Sequence, residues 1–387
     1  MKDEALGKPG RGRRGFMKMA GAGAAGGVLG AGAVGAMLGA AAPRAQAAGG
    51  FYVPDEAQPH TRIWMSWPAS TAIWGSTLLP KIQADIATLA RTIAKYESIT
   101  MIADGSTNAA KARAKIGATN YPVNVISTIP TDDCWMRDIG AVFRRNGAGG
   151  LDAIGLNFNG WGNKQAHAKD ALVAQRVAAS LNIPFTAASV VGEGGGVIQD
   201  GDGTLIANLS SWVNTNRNPG KTQAQVEAAL LAAYGATKMI WCTGLKGQDI
   251  TDDHIDATAQ FVAPGKLVVH KPPAGATDAW SVDARNVYNV LSHATDARGR
   301  SFQITLLDQP VHPRSHSSDL LKSYINYLVV NGAVIDVNFG DTTTDAAAQA
   351  KLGALYPGHV IEMINLDNLY GNGGGGIHCV TQQQPLA

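Results

Sequence analysis

A cysteine just beyond a run of glycines, Gly373–Gly376 followed by Ile377, His378 and Cys379, has the setting of a nucleophile. Glycine lets the backbone turn sharply and approach a ligand closely, and N–H groups nearby favour the thiolate. The same residues also read as a buried cysteine in a strand after a turn. His378 is adjacent, but neighbours along a strand point to opposite faces, which makes it a poor partner for Cys379. His254, in Thr251-Asp-Asp-His-Ile-Asp256, is a better base. Alternation along an extended segment puts His254 and Asp256 on one side, as an acid/base with its anionic holder, as two metal ligands, or as a plain surface pair. There is no HExxH and no HxE with CxxC, and Cys134, Cys242 and Cys379 are far apart. A zinc hydrolase or zinc deaminase is therefore disfavoured.

Asp132–Asp138 (DDCWMRD) gathers three carboxylates around a Trp and an Arg, and by composition it is a solvated loop with an internal Arg–Asp pair. Glu193 follows an apolar strand and precedes three glycines, so it reads as a carboxylate at the end of a buried strand. One thiol, one imidazole and several carboxylates at strand ends suit a planar cation, because carboxylates accept paired N–H bonds from a guanidinium.

The elements that must position these groups alternate. Thr61–Trp67, Ser98–Ala103, Val123–Ile129, Ala141–Arg144 and Ala153–Phe158 read as strands; Leu79–Tyr96 and Lys169–Leu181 have helical spacing. Val197–Gln199 and Thr204–Asn208 flank the Asp200–Gly203 turn as a hairpin. Strands over 238–241, 257–262, 267–272, 304–307, 325–330, 333–337 and 360–364 follow, with helices over 222–234 and 344–355 and a mixed segment to Tyr288. The polar clusters centre near Trp67, Asp138, Glu193, Asp256 and Cys379, in steps of 71, 55, 63 and 123 residues. The last step is about double the others, which is the spacing of a radial repeat of five strand-rich units.

With 387 residues, 45% of them hydrophobic and only 16% charged, the chain is neither disordered nor a polytopic membrane protein. Residues 1–47 hold three Lys and four Arg against Asp3 and Glu4, a surplus of five, so a formal charge of +2 leaves −3 on the remainder. That acidic body gives no reason to expect a nucleic acid as partner. Arg13-Arg14-Gly-Phe16, the Gly/Ala-rich run from Met19 to Ala42, and Ala45-Gln-Ala47 resemble a twin-arginine export signal with its cleavage site. The reading is a leader over 1–47 that engages the Tat translocase, then one catalytic domain over 48–387, periplasmic or secreted.

The mature chain resembles agmatine deiminases and the related peptidylarginine deiminases, within the guanidino-modifying superfamily. The resemblance rests on Pro59-His60 with WMSWP at Trp64–Pro68, DDCWMRD at Asp132–Asp138, and NFNGWGNK at Asn157–Lys164. EGGGVIQDGDGTL at Glu193–Leu205, NRNP at Asn216–Pro219, DDHID at Asp252–Asp256 and GGGGIHCVTQQ at Gly373–Gln383 complete it. It implies an α/β fold, a five-bladed α/β-propeller with a central active site, acting on a small guanidino substrate or on an arginine side chain of a peptide. It implies Cys379 as nucleophile, His254 as general acid/base, Glu193 as the acid orienting that histidine, and Asp138 and Asp256 as the grip on the guanidinium. No metal or organic cofactor is implied, and the assembly it implies is a homodimer. Trp135 and Trp161 are candidate walls for the rest of the substrate. The chain departs from the pattern at Ile139 and Ala141 (usually MRDTGP), at Asp253 (usually DGH) and at Gln58 (usually a second Glu). These departures bear on substrate more than on chemistry. A cysteine amidase or protease would leave the acidic cluster without a purpose, and a non-catalytic guanidinium-binding protein would not need Cys379. Cys134 is either core packing or a thiol near enough to the pocket to respond to oxidation.

Overall fold

The computed structural model describes residues 50–387, so the leader over 1–47 lies outside the described residues. Among the described residues no helix is long and apolar enough to cross a membrane. The described residues are laid out in five small sheets. The first contains β1 (His60–Ser66), β2 (Ile99–Ile102) and β3 (Val123–Ile126). The second has β4 (Val142–Arg145), β5 (Leu151–Gly155) and β6 (Phe185–Ala187); the third has β7 (Val197–Gln199), β8 (Thr204–Asn208) and β9 (Lys238–Cys242). The fourth has β10 (Ala259–Ala263), β11 (Lys266–Lys271) and β12 (Gln303–Asp308); the fifth has β13 (Leu328–Val330), β14 (Ala333–Val337) and β15 (Val360–Ile364). The last strand, β16 (Thr381–Pro385), returns to the first sheet and pairs antiparallel with β1, Ile63 facing Gln383 and Trp64 facing Gln382.

One order recurs. In each sheet an antiparallel pair is followed by a helix and then by a strand parallel to the second of the pair. The helices Thr71–Ile93, Val173–Ser180, Gln223–Tyr234, Ala279–His293 and Thr342–Leu355 make these crossovers, since parallel strands need a long connection. Side-chain caps fix where four of them begin: Ser70, Thr222, Asp278 and Asp341 each accept from a first-turn N–H, a contribution of about 1 kcal/mol apiece. Apolar side chains between sheets and helices form three buried clusters, the largest built around β1, β2 and β14.

The expected five-bladed propeller is corrected by this pairing. The sheets are separate open ladders of three or four strands, and none is closed into a barrel or propeller. Ladders this narrow, with strands of three to seven residues, cannot curl round to join their own outer strands. The architecture is an α/β fold of several small sheets and helices.

What matters for function is where each sheet starts. The first strand of every antiparallel pair lies at a sheet edge: β4, β7, β10, β13 and, in the first sheet, β16. Four of them, β4, β7, β10 and β16, are preceded by a short turn, and the chemistry-bearing residues of the sequence sit in or beside those turns.

Candidate active site

Asp138 belongs to the turn Met136–Ile139 before β4, and Glu193 leads into Gly194–Gly196 before β7. His254 and Asp256 belong to the turn around Ile255–Ala257 before β10, and Cys379 to His378–Val380 before β16. All five are at most 4% exposed. The fifth equivalent position, before β13, holds Asn326, which the sequence reading did not single out. It falls 70 residues after Asp256 and 53 before Cys379, inside the gap that was twice the usual step.

His254 Nε2 lies 3.2 Å from Glu193 Oε2, and Nδ1 lies 3.7 Å from Asp138 Oδ1. Cys379 Sγ lies 3.4 Å from Asn326 Oδ1 and 3.8 Å from Asp256 Oδ2. Gly195 shows how closely these groups converge. A Cβ placed on it would stand 2.7 Å from His254 Nδ1, 2.9 Å from Asp138 Oδ1 and 3.0 Å from Asp256 Oδ2. A side chain there would fill the space the three share, so only glycine fits. Its N–H also donates to Asp138 Oδ1 at 3.2 Å. Cys379, His254 and Asp256 line one cleft together with Asp249, Thr251, Trp280 and the glycines Gly374 and Gly375.

Strained backbone aims several of these groups. Trp161 has φ 55, ψ 44, left-handed backbone that a bulky residue rarely adopts. From it the indole Nε1 donates to Asp138 Oδ2 at 3.0 Å. Asp252 and Asp253 are both left-handed, with φ 59 and 71. Position 253 is where the resemblance calls for Gly, and Asp is one of the few other residues that tolerates this conformation. The turn is pinned by Gly247 N–H to Asp252 Oδ1 at 2.8 Å and Leu245 N–H to Asp253 Oδ2 at 3.0 Å. His254 therefore leaves a tight turn rather than the extended segment read from alternation. Trp135 packs on Trp74 with ring centroids 5.9 Å apart and against Gly373, and neither it nor Trp161 is among the side chains that line the cleft.

Two ion networks stand behind the site, and both were missed. Arg217, fully buried in the NRNP stretch, donates from Nε to both Glu193 oxygens (2.8 and 2.9 Å), from one terminal nitrogen to Asp252 Oδ2 (2.7 Å) and from the other to Thr251 O (2.9 Å). Lys164 adds a second cation to Asp252 at 2.7 Å. Burial raises the Glu193 pKa, but the Arg217 charge and the His254 hydrogen bond outweigh it and hold the carboxyl below its usual range. On the other side, Arg137 pairs with Glu56 at 3.0 Å and with Gln383 at 2.8 Å, not with an aspartate of its own loop as the solvated-loop reading had it. Glu56 in turn bonds His378. Burial raises Glu56, yet the charges of Arg137 and His378 carry it well below the carboxylate range. Sequence alone contains a weak signal for Arg217, as a cation set among the asparagines of a polar loop. For Glu56 and Arg137 there is none, since their partners lie 81 to 322 residues away. Among the described residues no group of three or more His, Cys, Asp or Glu is arranged to hold a metal ion.

The whole arrangement joins a buried thiol, an imidazole between two carboxylates, and a third carboxylate facing the same point. It can fix a planar cation and add sulfur to it. Comparison with known proteins gives the same direction. The family profile of Porphyromonas-type peptidyl-arginine deiminases matches residues 52–385. An agmatine deiminase of Pseudomonas fluorescens (strain SBW25) is 33% identical over 370 residues, covering 87% of this chain and 96% of that one. A Legionella pneumophila (strain Paris) protein with the provisional name agmatine deiminase is 34% identical, covering 87% and 96%. The solved agmatine deiminase of Enterococcus faecalis superposes with a TM-score of 0.79 at 25% identity, over 87% of this chain and 96% of that one.

Proposed function

The chain belongs to the Porphyromonas-type peptidyl-arginine deiminase family, and from that premise we propose that it is a cysteine-dependent hydrolase converting agmatine and water to N-carbamoylputrescine and ammonia. The observation that carries the proposal is the convergence of Asp138, Asp256 and His254 on the space beside Gly195, with Cys379 Sγ 3.8 Å from Asp256. Resonance makes a guanidinium carbon a poor electrophile. Two carboxylates fix it in place and keep it protonated, and positioning supplies much of the rate. The Cys379 sulfur attacks the carbon, forming a C–S bond. The tetrahedral adduct collapses with cleavage of a C–N bond, and His254 gives its proton to the departing ammonia. Neutral His254 then takes a proton from water as the oxygen adds to the amidino carbon. The C–S bond breaks, releasing the ureido product and the free cysteine. Glu193, kept charged by Arg217, faces His254 through both steps.

The test is a ureido-product assay over agmatine, free arginine and an arginine peptide. Agmatine should yield ammonia and ureido product, and Cys379→Ala and His254→Ala should each lose turnover by about 10⁴-fold or more. Turnover retained by Cys379→Ala would sink the mechanism. Product from the peptide alone would replace agmatine with a peptidyl-arginine substrate, a reading the family's name favours.

Export is part of the same proposal: Arg13-Arg14, the weakly apolar run that follows and Ala45-Gln-Ala47 support passage through the Tat translocase to the periplasm or beyond. The family resemblance is what supports a homodimer.

A further inference from the structure

We infer that His378 is a positioning residue for this reaction: a fixed imidazolium, clamped between Glu56 and Asp256, that holds the Asp256 carboxylate against Cys379 and supplies the positive charge beside which the thiolate forms. The inference rests on the reading of Cys379 as nucleophile and goes beyond it. Adjacency to Cys379 made His378 a poor partner on strand geometry, but the two residues sit in a turn and both side chains reach Asp256 Oδ2. The turn His378–Val380 sends the imidazole behind the site, where both ring nitrogens meet carboxylates. Nδ1 lies 2.8 Å from Asp256 Oδ2; Nε2 lies 3.0 and 3.1 Å from the two oxygens of Glu56. An ionised carboxylate only accepts hydrogen bonds, so a ring held at both ends in this way carries both protons.

The oxygen that His378 holds, Asp256 Oδ2, is the one 3.8 Å from Cys379 Sγ. Without a cation behind it, that carboxylate would oppose ionisation of the thiol beside it. Asp249 and Asp253 line the same cleft as Cys379 and Asp256. Arg137 bonds Glu56 and also reaches the His378 carbonyl at 3.4 Å. Across the Gly195 position stand Asp138 and His254, with Glu193 beyond. Arg137 and His378 balance Glu56 and Asp256, so the thiolate and the substrate cation enter a line of contacts that is already neutral. Burial and the Arg137 charge press the His378 pKa down, but Glu56 and the hydrogen bonds to Asp256 and Glu56 raise it above the ordinary imidazole value.

Alkylation of Cys379 by iodoacetamide, followed across pH on the Cys379 peptide without substrate, reads the thiol directly. In His378→Asn the midpoint of that profile should rise by about one unit or more, and kcat/KM at neutral pH should fall about tenfold for each unit. Glu56→Gln is the second variant. Its amide keeps the size and can still accept from Nε2, but it removes the charge that makes the ring an imidazolium, so a rise in the same direction is expected. A folded variant of either kind whose alkylation midpoint stays at the wild-type value, or falls, overturns the proposal. If His378→Asn does not fold, Glu56→Gln alone decides. Failure of the nucleophile reading is separately visible as turnover retained by Cys379→Ala.

Discussion

Around the cleft, Glu193, Asp252 and Glu56 are buried carboxylates held below their usual range. Away from it, Asp170 beneath the Asp132–Asp133 loop and Asp336 in β14 are buried carboxylates pushed above it. Depth does not separate the two groups, since burial is the largest influence on all five and always raises them. Hydrogen bonds do not separate them either: Asp170 Oδ1 accepts from Thr131 Oγ1 and from the Asp132 N–H at 2.8 and 2.7 Å. What the cleft group has is cations. Arg217 and Lys164 face Asp252, Arg217 faces Glu193, and Arg137 and His378 face Glu56. The carboxylates that stand behind the site are thus kept ionised out of water by buried cations, the guanidinium groups of Arg217 and Arg137 first among them.

The most disruptive way to break that contrast is Arg217→Met. The change keeps apolar bulk but leaves Glu193 and Asp252 without the guanidinium that spans them. Removing one partner of a buried ion network costs about 3–5 kcal/mol, because the other charge stays buried. The urea midpoint should fall accordingly and turnover should be lost with it. A variant within about 1 kcal/mol of wild type would show that Lys164 and water suffice, and that Arg217 is not what separates the two groups.

Much of the site geometry follows from features visible in the chain, because chemistry-bearing residues sat at strand ends in a regular spacing. The supporting shell did not, because nothing local marks an Arg or Glu as buried when its partner is hundreds of residues distant. Elements were lost for similar reasons. The helix Ala279–His293 buries Ser281 and Asp283 while Val282 and Tyr288 are exposed, which blurs the apolar period. β16 is Thr-Gln-Gln-Gln-Pro, every residue buried, and polarity hid it. Two of its glutamines are satisfied from afar: Gln384 accepts from Trp64 Nε1 and Gln383 from Arg137. The helix Gly105–Ile116 went unread because only Ala109, Ala112 and Ile116 mark its inner face.

The opposite arm of the comparison is sharpened by pH. Burial pushes Asp170 up to about 7, against about 3.8 for an unstrained carboxyl. The folded chain therefore binds a proton there that the unfolded chain has released, so this stabilisation is complete below about pH 4 and is lost as pH rises through 7. Asp170→Asn abolishes the titration while its amide oxygen can still accept from Thr131 and Asp132. Relative to wild type, the variant should gain on the order of 1–3 kcal/mol between pH 5 and pH 8. Melting temperatures of the two proteins across that range give the difference. A constant offset between them would mean that Asp170 is ionised throughout, and that cations are not needed to keep a buried carboxylate charged here.

The same logic extends to the thiols, with the smallest effect. Cys134 is fully buried, and burial together with the neighbouring Asp133 carboxylate raises its thiol well above 9; burial also takes Cys242 up to about 12. The charges that act on them are carboxylates, Asp133 and Asp170 on Cys134 and Asp253 and Asp283 on Cys242, and Cys134 lies inside the apolar core with Trp135 and Met136. It is core packing rather than a second reactive group. Cys134→Ala should keep turnover within about twofold and cost roughly 1 kcal/mol for the lost packing. Iodoacetamide should label Cys379 in wild type and in Cys134→Ala at the same rate, with no label at Cys134. Faster labelling of Cys134 than of Cys379 would reverse the assignment, since it would place the ionisable sulfur where burial is greatest and the charges acting on it are carboxylates.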